Sequence, residues 1–316
     1  MSFQALYLTK NESGIHSEIA TLDETALPPG DVLIRVSHST LNYKDALAIT
    51  GRAPVIRSFP MVPGIDLAGM VEESTDPRFA PGDAVLVNGW GIGEERWGGL
   101  AEKARVPGEF VIKIPEGFGP EEAMALGTAG YTAMLCLMEL ERGGVKPADG
   151  KVLVTGATGG VGSVAISILK ANGFEVTAST GKTANAAYLQ ALGAVEVIDR
   201  AELSSPGKPL QKERWAAAID SVGGYTLANV CASLRYRGHV AACGLAQSMD
   251  FPASVAPFIL RNITLHGIDS VRAPSAEREL AWQRLSREFK TSLLDDIVTT
   301  IPLAEAATKA AELLTG

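Results

Sequence analysis

KVLVTGATGGVGSVAISILKAN, residues 151 to 172, joins a short apolar run to an apolar-periodic helix through a glycine-rich turn. Lys151 to Thr155 reads as a strand buried on both faces, and Val161 to Leu169 as the helix. Between them Gly156, Gly159 and Gly162 are spaced G-x-x-G-x-x-G, with Gly160 a further small residue at the helix start. A side chain here would block the turn, keep a diphosphate from the backbone N–H groups, or push the helix off the strand. The open N–H groups and dipole of the helix end favour an anion, so Thr158, Gly159, Gly160 and Val161 form a candidate dinucleotide cradle. A glycine turn can also be a plain connection. Its place between strand and helix, with a second strand at Glu175 to Ser179, favours the dinucleotide.

The end of that second strand selects the dinucleotide. An NAD site commonly has Asp or Glu about 20 residues past the glycines to hold the ribose hydroxyls. This chain has Ser179-Thr180-Gly181-Lys182 instead. No carboxylate repels a 2′-phosphate there, the hydroxyls can donate to it, and Lys182 brings a positive charge. Arg200, after the apolar run Val195 to Ile198, is a candidate second cation. The expected cofactor is therefore NADPH, held at Thr180, Gly181, Lys182 and Arg200; the alternative is that both cations are merely solvated.

The chain has 316 residues, 46% of them apolar, which suits two domains with real cores. Its 28 Lys and Arg against 36 Asp and Glu give a net charge of −8. With no dense basic run, nucleic acid is excluded as an expected partner. Three separated cysteines, Cys136, Cys231 and Cys243, contain no C-x-x-C pair and fit a reducing compartment. The N-terminus lacks a signal-peptide pattern, and no apolar run approaches a membrane span, so a cytoplasmic protein with no membrane partner is expected.

Residues 1 to 120 alternate short apolar segments with Gly/Pro turns: Ala5 to Thr9, Val32 to His38, Gly69 to Glu73, Ala84 to Asn88 and Phe110 to Ile114. This pattern predicts a twisted, partly closed antiparallel β domain with a short helix at Tyr43 to Thr50. From Gly119 helix begins, starting at Pro120-Glu121-Glu122 and running on through Gly130 to Arg142. Strand and helix then alternate to Ile263–Gly267, the pattern of a doubly wound parallel sheet. The expected division is 1–120, with 295–316 returning to it, and 121–294. A last helix is expected at Leu303 to Leu314.

With the glycine turn placed second, after a β-rich domain, the chain resembles the medium-chain dehydrogenase/reductase superfamily. More narrowly it is similar to the zinc-free quinone oxidoreductase branch and its acrylyl-CoA reductase group. The stretches that carry the resemblance are LNYKDALAITG (41–51), FPMVPGIDLAG (59–69), NGWGIGEERWGGLAE (88–102), GTAGYTAMLC (127–136), VTGATGGVGS (154–163), AACGLA (241–246) and PFILRNITLHGIDS (257–270). The resemblance implies a Rossmann domain bound to a GroES-like domain, a homodimer, and a short closing strand, whereas this sequence ends at Thr315-Gly316. Zinc-containing relatives place His and Glu where Ile65-Asp66 follow Gly64, and the four histidines lack metal-site spacing, so no metal is expected.

The resemblance implies reduction of an activated C=C bond by NADPH, with an enoyl-CoA such as acryloyl-CoA as substrate. The alternatives are a quinone as substrate, or a non-catalytic NADPH-binding redox sensor. Tyr43 is the first candidate beside the chemistry, as a cofactor contact, substrate guide or proton donor; the alternative is a packed tyrosine. Asn42 is a second candidate, for orienting substrate or ribose, while Asp45 suits a helix cap. Asp66 reads either as a carboxylate ordering Tyr43 or a cation, or as a turn residue. Ser221-Val222-Gly223 and Cys243-Gly244-Leu245 follow the fourth and fifth strands, where such sheets bind ligands. Thr128 and Ile259 are expected to line the nicotinamide pocket, with Ser270 a polar contact. Trp90 and Trp97 read as an acyl-pocket wall or as loop packing. Lys44, Arg52, Arg57 and Arg78 are the cations available to a CoA phosphate.

Overall fold

Sheet pairing separates a β-rich unit from a parallel α/β unit in the computed structural model, which describes residues 1–294 and 298–315. The first unit comprises Met1–Thr128, Val271–Trp282 and the segment from Leu294 onward; the second comprises Ala129–Ser270 and Gln283–Leu293. Residues 295–297 and 316, part of the expected returning segment, lie outside the described residues. The expected single run 121–294 differs from this division at its start and in its interior, because residues 121–128 and Val271–Trp282 group with the first unit.

In the first unit, β1 (Ser2–Asn11) and β2 (Gly14–Asp23) form an antiparallel pair. Then come β3 (Val32–His38), α1 (Tyr43–Thr50), β4 (Asp66–Ser74), β5 (Ala84–Asn88), β6 (Lys103–Val106) and β7 (Ile112–Lys113). The antiparallel order is β6-β3-β4-β5-β7, and the two edge strands do not pair with each other. Its core gathers Val32, Ile34, Leu67, Val85, Val87 and Val106 from alternating strand positions. The eight residues of α1 are too few for an isolated helix. Ala46 and Ile49 are held in a second cluster with Leu6, Leu8, Met61 and Leu100. Each large apolar side chain buried there contributes about 1.5–3 kcal/mol. The helix stops at Gly51, whose φ of 68° is left-handed.

Helix α2 (Pro120–Arg142) follows, interrupted at Gly127 with φ 49° and ψ −154°. A Cβ at Gly127 would lie 2.7 Å from the Thr40 methyl and 2.9 Å from the Asp66 carboxylate, so glycine is required there. In the second unit are β8 (Val152–Val154), α3 (Gly160–Ala171), β9 (Val176–Thr180), α4 (Ala186–Leu192), β10 (Ala194–Asp199), β11 (Trp215–Asp220), α5 (Gly224–Ser233), β12 (Leu234–Ala242), α6 (Ala256–Arg261) and β13 (Thr264–Gly267). The chain continues through α7 (Ser275–Glu288) to α8 (Ala306–Leu313). All six strands of the second unit are parallel, in the order β10-β9-β8-β11-β12-β13. The strand order reverses between β8 and β11, the switch point at which doubly wound sheets bind ligands.

Some expectations need correction. The sequence reading saw no run long enough to span a membrane, yet the 23 residues of α2 are long and apolar enough by length and composition. With 78% of its most apolar window buried and a break at Gly127, α2 is instead a core helix. The segment Phe110 to Ile114 contributes only the two-residue β7, because Phe110 belongs to a short 3₁₀ turn. Strand β2 escaped the sequence reading because it is largely exposed and polar. Helix α7 escaped because Arg278 interrupts its apolar positions, although Arg278, Ala281, Trp282 and Leu285 form one buried stripe.

Candidate active site

The glycine turn occupies the carboxyl end of β8. Gly156 has φ 60°, and a Cβ there would strike the Ser221 hydroxyl. A Cβ on Gly162 would strike the Gly156 carbonyl oxygen and sit 2.7 Å from the Ala157 Cα, so the strand and helix approach too closely for any side chain. Gly159 is the N-cap of α3 and supplies no side-chain cap. The first-turn N–H groups of Gly160, Val161 and Gly162 have no intrahelical partner, so they can receive an anion. The residues therefore fit a dinucleotide diphosphate.

Thr180 ends β9, with its hydroxyl 3.1 Å from that of Thr158 and 3.0 Å from the Lys182 N–H. Arg200 lies across the neighbouring glycine, its Nε 2.6 Å from where a Gly181 Cβ would stand. Thus the fold brings Thr158, Thr180, Gly181, Lys182 and Arg200 to one corner. Lys182 and Arg200 are exposed. Together they give this corner the positive character that a 2′-phosphate requires.

At the switch point, Asp220 is fully buried and fills a role the sequence reading missed. It accepts 2.6 Å from the Thr155 hydroxyl and 2.8 Å from the Gly223 N–H. Burial pushes its carboxyl up, while these donors pull it down. The Thr155 hydroxyl also receives the Ser221 N–H at 3.2 Å, so the ends of β8 and β11 are tied together. Gly244 lies against the Ser221 backbone, and the Cys243 N–H donates to the Asp220 carbonyl at 2.8 Å. Ser221, Val222, Cys243 and Gly244 consequently lie together at the carboxyl end of the parallel sheet. Leu245 is 57% exposed and Ile259 is 73% exposed, so neither packs into a pocket wall within the second unit. Ser270 is half-buried after β13.

In the first unit, Asn42 is the N-cap of α1 and Asp45 its third residue, an arrangement that forms a capping box. The Asp45 carboxylate accepts the Asn42 N–H at 2.8 Å and the Ile65 N–H at 2.9 Å. Asp66 is neither a turn residue nor hydrogen-bonded to Tyr43, but it has the expected cationic neighbour, Arg278, whose charge favours its ionised form. It opens β4, is 0% exposed, and accepts from Asn42 Nδ2 at 2.7 Å, the Thr128 N–H at 2.9 Å and the Thr128 hydroxyl at 2.6 Å. A carboxylate so enclosed orders its neighbours rather than meeting substrate. Burial raises the pKa of both acids, that of Asp45 to about 7. Tyr43 is 56% exposed on the first turn of α1.

Trp90 stacks on Phe110 at 5.1 Å, and Trp97 meets Tyr7 edge-on at 5.9 Å, so both pack the glycine-rich loop. Of the cations available to a CoA phosphate, Lys44 pairs with Glu94 at 3.0 Å and Arg78 with Asp76 at 2.6 Å. Arg52 and Arg57 remain exposed. His239 and His266 share a 2.9 Å hydrogen bond, and His266 pairs with Glu139 at 2.9 Å. Among the described residues no group of three or more His, Cys, Asp and Glu is arranged to hold a metal.

The family described as Alcohol dehydrogenase GroES-like domain matches residues 28–116, and the one described as Zinc-binding dehydrogenase matches residues 160–287. A probable acrylyl-CoA reductase, AcuI of Escherichia coli, is 50% identical over 96% of this chain and 93% of its own. The putative quinone oxidoreductase YhfP of Bacillus subtilis is 45% identical over 94% of this chain and 90% of its own. The crystal structure of the yhdH oxidoreductase from Salmonella enterica in complex with NADP superposes with a TM-score of 0.97 at 49% identity, covering 99% of this chain and 96% of that one. The chain belongs to the medium-chain dehydrogenase/reductase family, in the group that holds the acrylyl-CoA reductase AcuI and YhfP.

Proposed function

We propose that this protein is an NADPH-dependent oxidoreductase that reduces the C=C bond of an enoyl-CoA, with acryloyl-CoA as the favoured substrate. The observation that carries the cofactor is the corner where Thr180, Lys182 and Arg200 meet beside the glycine turn. The substrate follows from the 50% identity to the probable acrylyl-CoA reductase. NADPH bound to the second unit supplies a hydride from its nicotinamide ring.

The remaining chemistry belongs to the chain's own residues. The N–H groups of Gly160 and Val161 hold the diphosphate, and Thr180, Lys182 and Arg200 hold the phosphate on the adenosine. Ser221, Val222, Cys243 and Gly244 leave the carboxyl end of the sheet open to the nicotinamide half. Tyr43 offers an exposed phenol O–H, suited to donate to a thioester oxygen as negative charge gathers there. Zinc has no part in this reading: the Asp66 carboxylate is buried and accepts from Asn42 and Thr128.

A quinone is the second reading, supported by the 45% identity to YhfP. Following NADPH oxidation at 340 nm with acryloyl-CoA and with benzoquinone separates the two; a kcat/KM higher for the quinone reverses the order. A cytoplasmic location is part of the proposal and suits three free thiols. A homodimer is also part of it. Its support is the exposed apolar set Met249, Val255, Ile259 and Leu260, together with the open edge of β13. A monomer mass in sedimentation at micromolar concentration counts against it.

A further inference from the structure

Asn42 is held by two buried acids. Its Nδ2 donates one hydrogen to Asp66 Oδ2 at 2.7 Å and the other to Asp45 Oδ2 at 3.2 Å, and both acids are at most 1% exposed. A primary amide has two N–H donors on one side and a carbonyl acceptor on the other. With a carboxylate against each hydrogen, the opposite orientation would press the carbonyl oxygen against two anions, so the amide has a single allowed pose. We propose that Asp45 and Asp66 are positioning residues that fix the Asn42 amide in one orientation, so that its carbonyl, beyond any bond it takes from the helix start, acts as a hydrogen-bond acceptor for a hydroxyl or amide donor of the bound ligand. This rests on the functional reading above and deepens it.

The Asn42 carbonyl oxygen has two lone pairs, of which the helix cap uses at most one. It cannot stabilise negative charge on a thioester oxygen, because acceptor would face acceptor. That task is left to a donor, and Tyr43, the next residue, is an exposed one. Asn42 and Tyr43 therefore divide the work: one accepts from the ligand and the other donates.

Two buried carboxylates against one amide is a costly arrangement, since each anion is desolvated and the two repel. The cost shows in the Asp45 carboxyl, pushed up to about 7 by burial, with a smaller contribution from Asp66. Asp66 is the titratable group acting on Asp45, and Arg278 is the cation acting on Asp66. Once protonated, Asp45 becomes a donor that can pair with the carbonyl oxygen of Asn42, and one of the two constraints on the amide is lost.

The test uses the full chain with selectively ¹⁵N-labelled asparagine, the Asn42 resonance being assigned by its absence in Asn42→Ala. Expected is a side-chain NH₂ of Asn42 whose two hydrogens exchange with solvent at least a hundredfold more slowly at pH 8 than those of a solvated asparagine. Exchange at the solvated rate overturns the proposal whatever the substrate proves to be. In steady-state reduction of acryloyl-CoA, Asp45→Asn is expected to lower kcat at least tenfold, with NADPH Kd within threefold of wild type. It should also remove an acid limb near pH 7 from the kcat profile. A folded Asp45→Asn with unchanged kcat, or with that limb intact, overturns the assignment. If Asp45→Asn does not fold, Asn42→Ala leaves both acids in place, and normal kcat in that variant is equally fatal. No turnover of any enoyl-CoA by wild type defeats the functional reading alone, since the exchange measurement still decides the positioning.

Discussion

Lys182 and Tyr43 carry the plainest consequences at the level of single residues. Lys182 stands beside Thr180 and Arg200 with its ammonium in solvent, so its charge is available to a phosphate. Losing one charge-assisted hydrogen bond costs about 1.5–3 kcal/mol. Lys182→Ala should therefore narrow the preference for NADPH over NADH by roughly tenfold or more, read as the ratio of kcat/KM for the two coenzymes. Tyr43→Phe removes only the exposed phenol O–H, and kcat is expected to fall by at least about tenfold with little change in NADPH Kd. Normal turnover in that variant removes Tyr43 from the chemistry. These two positions stood out in the sequence because a cation in place of an acid, or a tyrosine in a motif, is visible without coordinates. Asp45, Asp66 and Asp220 were not legible in the same way, since an aspartate reads alike as a cap, a turn or a buried acceptor until its partners are known.

Elements show where the sequence pattern was sufficient and where packing overrode it. The β8–α3 unit was legible because each local choice agrees: apolar strand, glycine turn, apolar helix. Gly162→Ala is the sharpest test of that unit, because its methyl would meet the Gly156 carbonyl. The substitution should destabilise the chain by about 1–3 kcal/mol and abolish detectable NADPH binding in calorimetry. Unchanged affinity would mean that the turn is only a connection. Helix α7 is the opposite case. Arg278 sits on its buried face, where the guanidinium donates to the Asn88 carbonyl at 2.6 Å and the Val271 carbonyl at 3.1 Å, and lies 4.7 Å from the Trp90 ring. Arg278→Ala would remove those bonds, leaving the Val271 carbonyl with the Trp90 backbone N–H at 2.9 Å, and a loss on the order of 2–4 kcal/mol is expected in urea unfolding. A sequence scan treats an arginine as a solvent-facing residue, so the helix was hidden by the residue that anchors it.

Across the whole molecule, the buried acids give stability a pH dependence. The Asp45 carboxyl rises from 3.8 to about 7 on folding, so its contribution is fully present below pH 3.8 and is lost as pH climbs through 7. A tenfold difference in proton affinity between the folded and unfolded chain corresponds to about 1.4 kcal/mol. Wild type should thus lose more stability between pH 5 and pH 8 than Asp45→Asn, measured as the change in urea midpoint; equal changes would show that Asp45 does not titrate in that range. Glu288 acts in the opposite sense. Its pKa is lowered on balance, burial opposing the stronger combined pull of Arg284 and Asn172, so its contribution is lost as pH falls. The sequence by itself determined the parallel α/β domain, its place after a β-rich one, and the glycine turn with the nearby cations Lys182 and Arg200, because those depend on local periodicity and on glycines and charges close together in the chain. Only the tertiary structure decided which acids are buried, that Asn42 is gripped between Asp45 and Asp66, that Asp220 ties two strand ends together, and that the first half of α7 packs with the β-rich unit. Those features join residues far apart in sequence, and burial there depends on the combined packing of several elements, which no local pattern encodes.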